Sequence, residues 1–213
     1  MKKIGVIGSG KVGEVLADGF LKHGHAVRRG SREPGKLADW KAAAQGDAST
    51  GSVAETAAWG EVIVLAVKGT GAEAAVAEAG AGLAGKLVLD ATNPIADAPP
   101  KNGALSYFTA GDESLIQRLQ AKAPAARFVK AWNSVGNALM VNPKLQIAPA
   151  MFICGADAPA KQEATAILKT FGWDAVDVGG VEMGHAVEAL CILWCAPGFL
   201  HNDWMHAFAY LKA

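Results

Sequence analysis

A glycine-rich segment, Gly8-Ser9-Gly10-Lys11-Val12-Gly13, constrains the fold of this chain more than any other feature. It follows the short apolar run Lys3–Ile7, which is typical of a buried parallel strand, and it precedes apolar residues at helical spacing. In this strand–turn–helix context the first glycine permits a tight turn and the second lets the backbone approach a pyrophosphate. The third lets the helix pack close to the strand. Free N–H groups at the helix start would bind phosphate oxygens, so the segment predicts a dinucleotide-binding unit.

The rest of the chain continues this alternation of strand-like and helix-like segments. Strand-like runs at 25–29, 62–67, 87–91 and 128–131 are separated by segments with helical patterns. Among these segments are Pro34 to about Ala44 and a short helix that begins at a Ser52/Glu55 capping box. Repeated β-α-β order predicts an α/β fold, a Rossmann-type doubly wound parallel sheet with helices on both faces. We expect a nucleotide-binding domain over residues 1–145 and a small C-terminal α/β cap over residues 146–213, ending in helices at about 181–195 and 199–211.

The residues after the second strand predict which dinucleotide is bound. Enzymes that use NAD place an acid about 20 residues beyond the glycine segment, where it bonds the ribose. Here that position falls near Gly30, and Ser31 and Arg32 follow, with Lys36 shortly after. A hydroxyl, a guanidinium and an ammonium would together hold a 2′-phosphate. The pattern therefore predicts NADP(H), with Glu33 available to pair with either base.

Composition excludes several other classes of function. The chain has 213 residues, with 20 Lys or Arg balanced by 20 Asp or Glu, so neither nucleic acid nor an anionic membrane is an expected partner. The three cysteines form no CxxC pair, which favours reduced core thiols and no metal site. The uncharged run Ala189–Leu200 is short for a bilayer. We expect a soluble, cytoplasmic protein.

Five motifs together resemble the coenzyme F420-dependent NADP oxidoreductase family: GVIGSGKVG, HGHAVRRGSR, VLAVKG, DATNPI and VKAWNSVG. Related bacterial NADP-dependent reductases and the reductase domain of STEAP metalloreductases share much of the pattern. The resemblance extends over nearly the whole chain. It implies a Rossmann domain that binds NADP(H), and a C-terminal part that completes a cleft for a second redox cofactor, F420 or a flavin. It also points to a homodimer.

The resemblance assigns cofactor contacts to segments of this chain. It implies that Ser9–Val12 binds the pyrophosphate and that Ser31, Arg32 and Lys36 bind the 2′-phosphate. Further contacts, toward the ribose and nicotinamide, are implied for Val67, Lys68, Asn93, Pro94, Ala131, Trp132 and Asn133.

A hydride passing between two stacked rings needs proximity and exclusion of water more than acid–base help. We therefore expect Trp132 and Asn133 to position the rings. Reduction of another small acceptor (a ferric chelate, a quinone or a carbonyl compound) and non-catalytic sensing of NADP(H) are the alternatives. Four further residues are open between a role at the cleft and a structural or solvated one: Lys68, Lys130, His185 and Glu188.

Overall fold

The sheet of this protein is a six-stranded parallel sheet with the strand order β3-β2-β1-β4-β5-β6. The computed structural model describes all 213 residues. The strands of the main sheet are β1 Lys3–Ile7, β2 Ala26–Gly30, β3 Ala48–Gly51, β4 Val62–Leu65, β5 Leu87–Asp90 and β6 Arg127–Lys130. This architecture confirms the predicted Rossmann-type fold.

Helices cover both faces of the sheet. They are α1 Lys11–Lys22, α2 Ala38–Ala43, α3 Val53–Trp59, α4 Ala72–Ala79, α5 Leu115–Lys122, α6 Ala158–Thr170 and α7 Gly184–His201. One core unites α1, α2 and α6 with alternate strand residues such as Val6 and Val27, and the other unites α3, α4 and α5 with residues such as Ile7 and Ile63. The alternation of side chains along each strand separates the two cores.

Most element boundaries lie close to those expected from the sequence, and the differences have local causes. The Ser52/Glu55 capping box forms at the start of α3. The helix expected from Pro34 to about Ala44 is divided into a 3-10 turn, Pro34–Leu37, and the short α2. Strand β3 was not predicted, because its residues are small and polar and its only strand partner is β2.

The C-terminal part packs into the same core as the N-terminal part. A second, two-stranded parallel sheet joins β7, Ala150–Ile153, to β8, Asp174–Asp177. Cys154, the residue after β7, forms an isolated antiparallel β-bridge with Lys130 at the end of β6. Residues of β7 and α6 belong to the core cluster that contains Phe20 and Trp132. The expected boundary near residue 145 therefore separates two segments of chain but not two cores.

Helix α7 and the tail after it differ from the expectation. The helix does not end near Cys195 but continues through Pro197 to His201, where Asn202 adopts a left-handed conformation with φ 56°. The predicted helix at about 199–211 is wrong beyond that point. The tail is held instead by tertiary hydrogen bonds from Trp194 Nε1 to the carbonyl of His206 and from the Ala150 N–H to the carbonyl of Phe208.

The segment Val181–His201 is, by length and composition alone, long and apolar enough to cross a membrane. The uncharged run expected to be too short to span, Ala189–Leu200, is one part of this longer helix. This helix nevertheless carries a buried charged residue, Glu188, which bonds to the start of α5 and to Lys130 on β6. Such contacts are those of a helix that belongs to a protein core.

The strand order reverses between β1 and β4. Helices that follow strands on the two sides of this point lie on opposite faces of the sheet, which leaves a crevice beyond the strand ends. The glycine-rich segment follows β1, and Ala66–Lys68 follows β4, so both face this crevice.

Candidate dinucleotide site at the strand ends

The three glycines of the glycine-rich segment occupy three different environments. Gly8 has φ +146°, and a Cβ there would lie 2.2 Å from the carbonyl oxygen of Ala66, so only glycine fits the turn. A Cβ on Gly13 would lie 2.6 Å from the carbonyl oxygen of Gly8, which is why α1 can approach β1 closely. Gly10 has no atom within 4 Å of where its Cβ would be. Its open side faces the crevice and leaves room for a ligand.

The start of α1 has no intramolecular partner for its backbone donors. No side chain caps the helix at Gly10, and the N–H groups of Ser9, Gly10, Lys11 and Val12 donate no hydrogen bond. Ser9, Gly10 and Lys11 are also exposed in a chain segment whose neighbours are buried. Free donors at the positive end of a helix form an anion site. The residues present therefore fit the pyrophosphate of a dinucleotide.

One cavity of about 320 Å³ connects the glycine-rich segment to the ends of β2 and β4. Eight residues expected at the cofactor line it: Gly8, Ser9, Gly10, Ser31, Arg32, Lys36, Val67 and Lys68. A second cavity of about 290 Å³ shares Gly10, Val67 and Lys68 with the first and adds Lys11 and Val12. Together they form a continuous cleft along the carboxyl edge of the sheet. A larger groove of about 720 Å³ between α1 and α2 is lined by Glu14, Asp18 and Asp39, whose charge disfavours a phosphorylated ligand.

The cleft ends in a basic corner formed by Ser31, Arg32, Glu33 and Lys36. The Ser31 side chain accepts a hydrogen bond from the Glu33 N–H at 3.2 Å. Lys36 Nζ lies 2.8 Å from Glu33 Oε1, and this pairing lowers the pKa of the Glu33 carboxyl. Arg32 is exposed and forms no ion pair. The basic corner thus contains one unpaired guanidinium, that of Arg32, and one ammonium, that of Lys36, which is paired with Glu33.

The opposite end of the cleft lies at the end of β4. Lys68 forms an ion pair with Asp97, and both side chains are about two-thirds exposed. Lys68 therefore lies at the rim of the cleft, within reach of solvent. Ala91, after β5, completes the lining of the second cavity.

Asn93 and Asn133 connect the ends of β5 and β6 to α7 instead of lining the cleft. Asn93 Nδ2 donates to the carbonyl of Asn133 at 2.7 Å, and Asn133 Nδ2 donates to the carbonyl of Val187 at 2.8 Å. Pro94 and Ala131 are buried beside them and line neither cavity. In this structure the two asparagines link the ends of β5 and β6 to α7.

Trp132 does not lie at the ring site expected for it. Its side chain is 1% exposed and packs against Phe20 and Phe171 in the core on the α1 side. Its φ of +57° turns the chain sharply after β6 and directs the indole inward. Direct stacking of Trp132 on a bound ring is therefore excluded in this conformation, and the expected ring-positioning role is wrong.

A buried ion triad, Lys130, Asp90 and Glu188, lies at the carboxyl ends of β5 and β6. Lys130 Nζ is 2.6 Å from Asp90 and 2.8 Å from Glu188, and all three side chains are at most 1% exposed. Burial opposes the charged form of Lys130, but the two carboxylates outweigh it and raise its pKa. Of the roles left open for Lys130 and Glu188, the structural one is present, and neither side chain is solvated or free to act at the cleft. His185 is exposed and bonds the carbonyl of Glu182.

Arg29 is a component of the site that sequence analysis missed. It lies in β2, is 1% exposed, and donates to the carbonyls of Gly8 and Gly10. The consecutive pair Arg28-Arg29 within a strand was the available signal. Successive strand residues face opposite sides of a sheet, and a parallel sheet covered by helices must bury at least one of them.

Comparison with known proteins agrees with this geometry. Residues 3–94 match the family described as NADP oxidoreductase, coenzyme F420-dependent. A candidate F420-dependent NADP reductase from Arthrobacter sp. FB24 shares 28% sequence identity, with each chain covering all of the other and a TM-score of 0.91. The resemblance seen in the sequence is confirmed, and the chain is an NADP-dependent oxidoreductase.

More distant structures share the fold. A hypothetical protein from Sinorhizobium meliloti is 20% identical, with a TM-score of 0.72 over 100% of this chain and 97% of that one. An imine reductase from Myxococcus stipitatus, solved in complex with NAD+, is 19% identical with a TM-score of 0.64. The match covers 91% of this chain but 60% of the imine reductase.

Proposed function

We propose that this NADP-dependent oxidoreductase transfers hydride between NADPH and a second redox cofactor, F420 or a flavin, in the cleft at the strand ends. The observation that carries the proposal is a single cleft containing the free donors of α1, the basic corner and the end of β4. The family match over residues 3–94 and the Arthrobacter structure support F420 as the first acceptor to test.

Each part of the cleft has a separate task in this proposal. The N–H groups at Ser9–Val12 bind the pyrophosphate, and Ser31, Arg32 and Lys36 bind the 2′-phosphate. Val67 and Val12 give the far end of the cleft an apolar wall that excludes water from one side of the reacting ring. NADPH supplies the hydride when it is bound.

No acid–base group is required at this end of the cleft. Lys130 and Glu188 are held in the buried ion triad, and Lys68 is paired with Asp97 at the rim. A reaction between two rings needs position more than proton transfer, which agrees with this arrangement. Reduction of a carbonyl or imine would instead need a proton donor beside the acceptor. The arrangement therefore favours a deazaflavin or flavin acceptor.

The test is oxidation of NADPH in the presence of defined acceptors. Purified protein is mixed with NADPH and with F420, FMN, a ferric chelate or a simple quinone, and the near-ultraviolet absorbance of NADPH is followed. We expect oxidation that depends on both protein and F420 or FMN. If NADPH is oxidised only with the chelate or the quinone, the acceptor is that compound and not F420 or a flavin. Tight NADPH binding without turnover by any acceptor would favour the sensing alternative.

A Gly10→Val variant separates cleft chemistry from contamination. The Cβ position of Gly10 is open and its φ of −79° suits any residue, so the variant is expected to fold normally. Its side chain projects into the cleft where the pyrophosphate would lie. Acceptor-dependent oxidation should fall to background in this variant, while its melting temperature should match that of the wild type.

A further inference from the structure

Arg29 is a buried cation without a carboxylate partner. No carboxylate oxygen lies within ion-pair distance of its guanidinium; burial lowers its pKa, and Glu14 and Asp18 on α1 partly offset this from a longer distance. Its Nη2 donates to the carbonyl of Gly8 at 3.0 Å and to the carbonyl of Gly10 at 3.1 Å. Buried arginines are usually paired with acids, because an isolated charge is costly to desolvate. Here the charge is directed at the glycine-rich segment.

These two hydrogen bonds act on two peptide groups: the Gly8 carbonyl has no other donor, whereas the Gly10 carbonyl also accepts the first helical hydrogen bond, from the Glu14 N–H at 3.1 Å. In a planar trans peptide the C=O and the following N–H point in opposite directions. Holding the Gly8 carbonyl inward therefore turns the Ser9 N–H outward, and holding the Gly10 carbonyl inward does the same for the Lys11 N–H. Both N–H groups are free of other partners and face the cleft. Arg29 thus aims the donors that would meet a pyrophosphate.

The guanidinium is itself held in place. Its Cζ lies 5.0 Å from the centre of the Trp40 ring, and Trp40 Nε1 donates to Asp18 Oδ1 at 2.7 Å. Arg28, the preceding residue, faces the other side of β2 and stacks on Trp59 at 4.8 Å. Arg28 is therefore a matched control on the same strand.

We propose that Arg29 is the positioning residue of the dinucleotide site. It fixes the glycine-rich segment in the conformation that binds a pyrophosphate, and it places a buried positive charge behind that phosphate group. Arg29 accordingly sets the affinity for both dinucleotides, whereas Arg32 distinguishes NADPH from NADH. The inference rests on the proposed function, because it requires NADPH to bind along this segment.

The experiment measures binding of three ligands to four proteins. The proteins are the wild type, Arg29→Lys, Arg29→Met and the control Arg28→Met. The ligands are NADPH, NADH and adenosine 2′-monophosphate, which carries the 2′-phosphate but no pyrophosphate. Dissociation constants are measured by calorimetry on proteins whose melting curves show a folded state. Lysine ends one bonded atom short of Nη2 but retains the charge, so Arg29→Lys is the variant most suited to fold.

We expect Arg29→Met to weaken the binding of NADPH and of NADH by the same factor, about tenfold or more, because hydrogen bonds from a charged donor are lost. Arg29→Lys should lie between this variant and the wild type. Adenosine 2′-monophosphate should bind all four proteins equally, which a general loss of structure would not allow.

Wild-type affinity for both dinucleotides in every folded Arg29 variant would overturn the inference, and if only Arg29→Lys folds, its constants decide. The inference would also be overturned if the Arg29 variants bound adenosine 2′-monophosphate more weakly by the same factor as the dinucleotides, because the effect would then be structural. If the wild type binds neither dinucleotide, the proposed function fails together with the inference. Binding by the wild type without any effect at Arg29 defeats the inference alone.

Discussion

Glu33 is the residue that most directly opposes the proposed binding of a 2′-phosphate. It lines the same cleft as Arg32 and pairs with Lys36, which lowers the pKa of its carboxyl. The carboxyl is therefore ionised at neutral pH and competes with a phosphate for the lysine. The basic corner has a counter-ion of its own that a ligand must displace.

Replacing Glu33 with glutamine should strengthen NADPH binding. Removing an exposed ion pair frees Lys36 for the phosphate, and we expect the dissociation constant for NADPH to fall about two- to fivefold. The constant for NADH should not change. Asp39→Asn, an exposed acid outside this cleft, is the control. Weaker NADPH binding in the Glu33 variant would show that the carboxylate helps to hold the cofactor.

The structural role of a residue was predictable from the sequence where only one residue type fits that role. It was not predictable where the residue type serves several roles. Gly8 and Gly13 were assigned to a tight turn and a close helix contact, and both geometries are present because no other residue fits. Trp132 was assigned to the cleft, but an indole is equally suited to a core, and the positive φ that turns it inward is not encoded in a local pattern. Arg29 was missed because its partners are carbonyls, which every residue has.

At the level of elements, the buried ion triad holds α7 against the sheet. Glu188 on α7 accepts from the N–H groups of Leu115 and Ile116 at the start of α5, at 3.0 Å each, and also faces Lys130. The positive end of α5 compensates the second carboxylate of the triad. Strands β5 and β6 and helices α5 and α7 therefore meet at one charged point behind the cleft.

Without the lysine of the triad, the protein should unfold at a much lower denaturant concentration. Lys130→Met leaves two buried carboxylates without their cation, which costs roughly 3–5 kcal/mol of unfolding free energy. The raised pKa of Lys130 means that its contribution is complete below the ordinary lysine pKa of 10.5 and is lost as the pH rises through the higher folded value. Urea titrations of this variant and of Lys122→Met, an exposed lysine on α5, measure the difference. Equal midpoints would mean that the triad does not stabilise the fold.

Elements with a strong repeating pattern were predicted more accurately than elements stabilised by distant contacts. Strand β4 and the capping box of α3 have local signals and lie where they were expected. The extension of α7 through Pro197 and the irregular tail depend on Trp194, Trp204 and His206, whose rings pack together only in the folded chain. Local propensity cannot show such contacts.

At the level of the whole molecule, large apolar side chains are exposed along α7 and just beyond its end. Leu193 is 62% exposed and Leu200 is 55% exposed on α7, and Met205 beyond the helix is 63% exposed. Adjacent exposed apolar side chains mark association surfaces. We propose, in line with the family resemblance, that this face joins two copies of the chain.

Sedimentation equilibrium tests this proposal. The wild type should be a dimer at micromolar concentration, and Leu193→Lys should shift it toward the monomer, because a charge would be buried at the contact. Ile147→Lys places the same charge at a residue that is 57% exposed but lies in the loop before β7. This control should remain dimeric. A wild type that is monomeric at every concentration would contradict the proposal.

In the proposed function one cleft binds NADPH through two separate groups, the glycine-rich segment and the basic corner. The most direct measurement is the pair of dissociation constants for NADPH and NADH in the wild type and in Arg32→Gln. We predict that the wild type prefers NADPH, and that the variant loses about tenfold in NADPH affinity with no change for NADH. Equal affinities of the wild type for the two cofactors, or an equal loss of both affinities in the variant, would contradict binding of the 2′-phosphate at the basic corner.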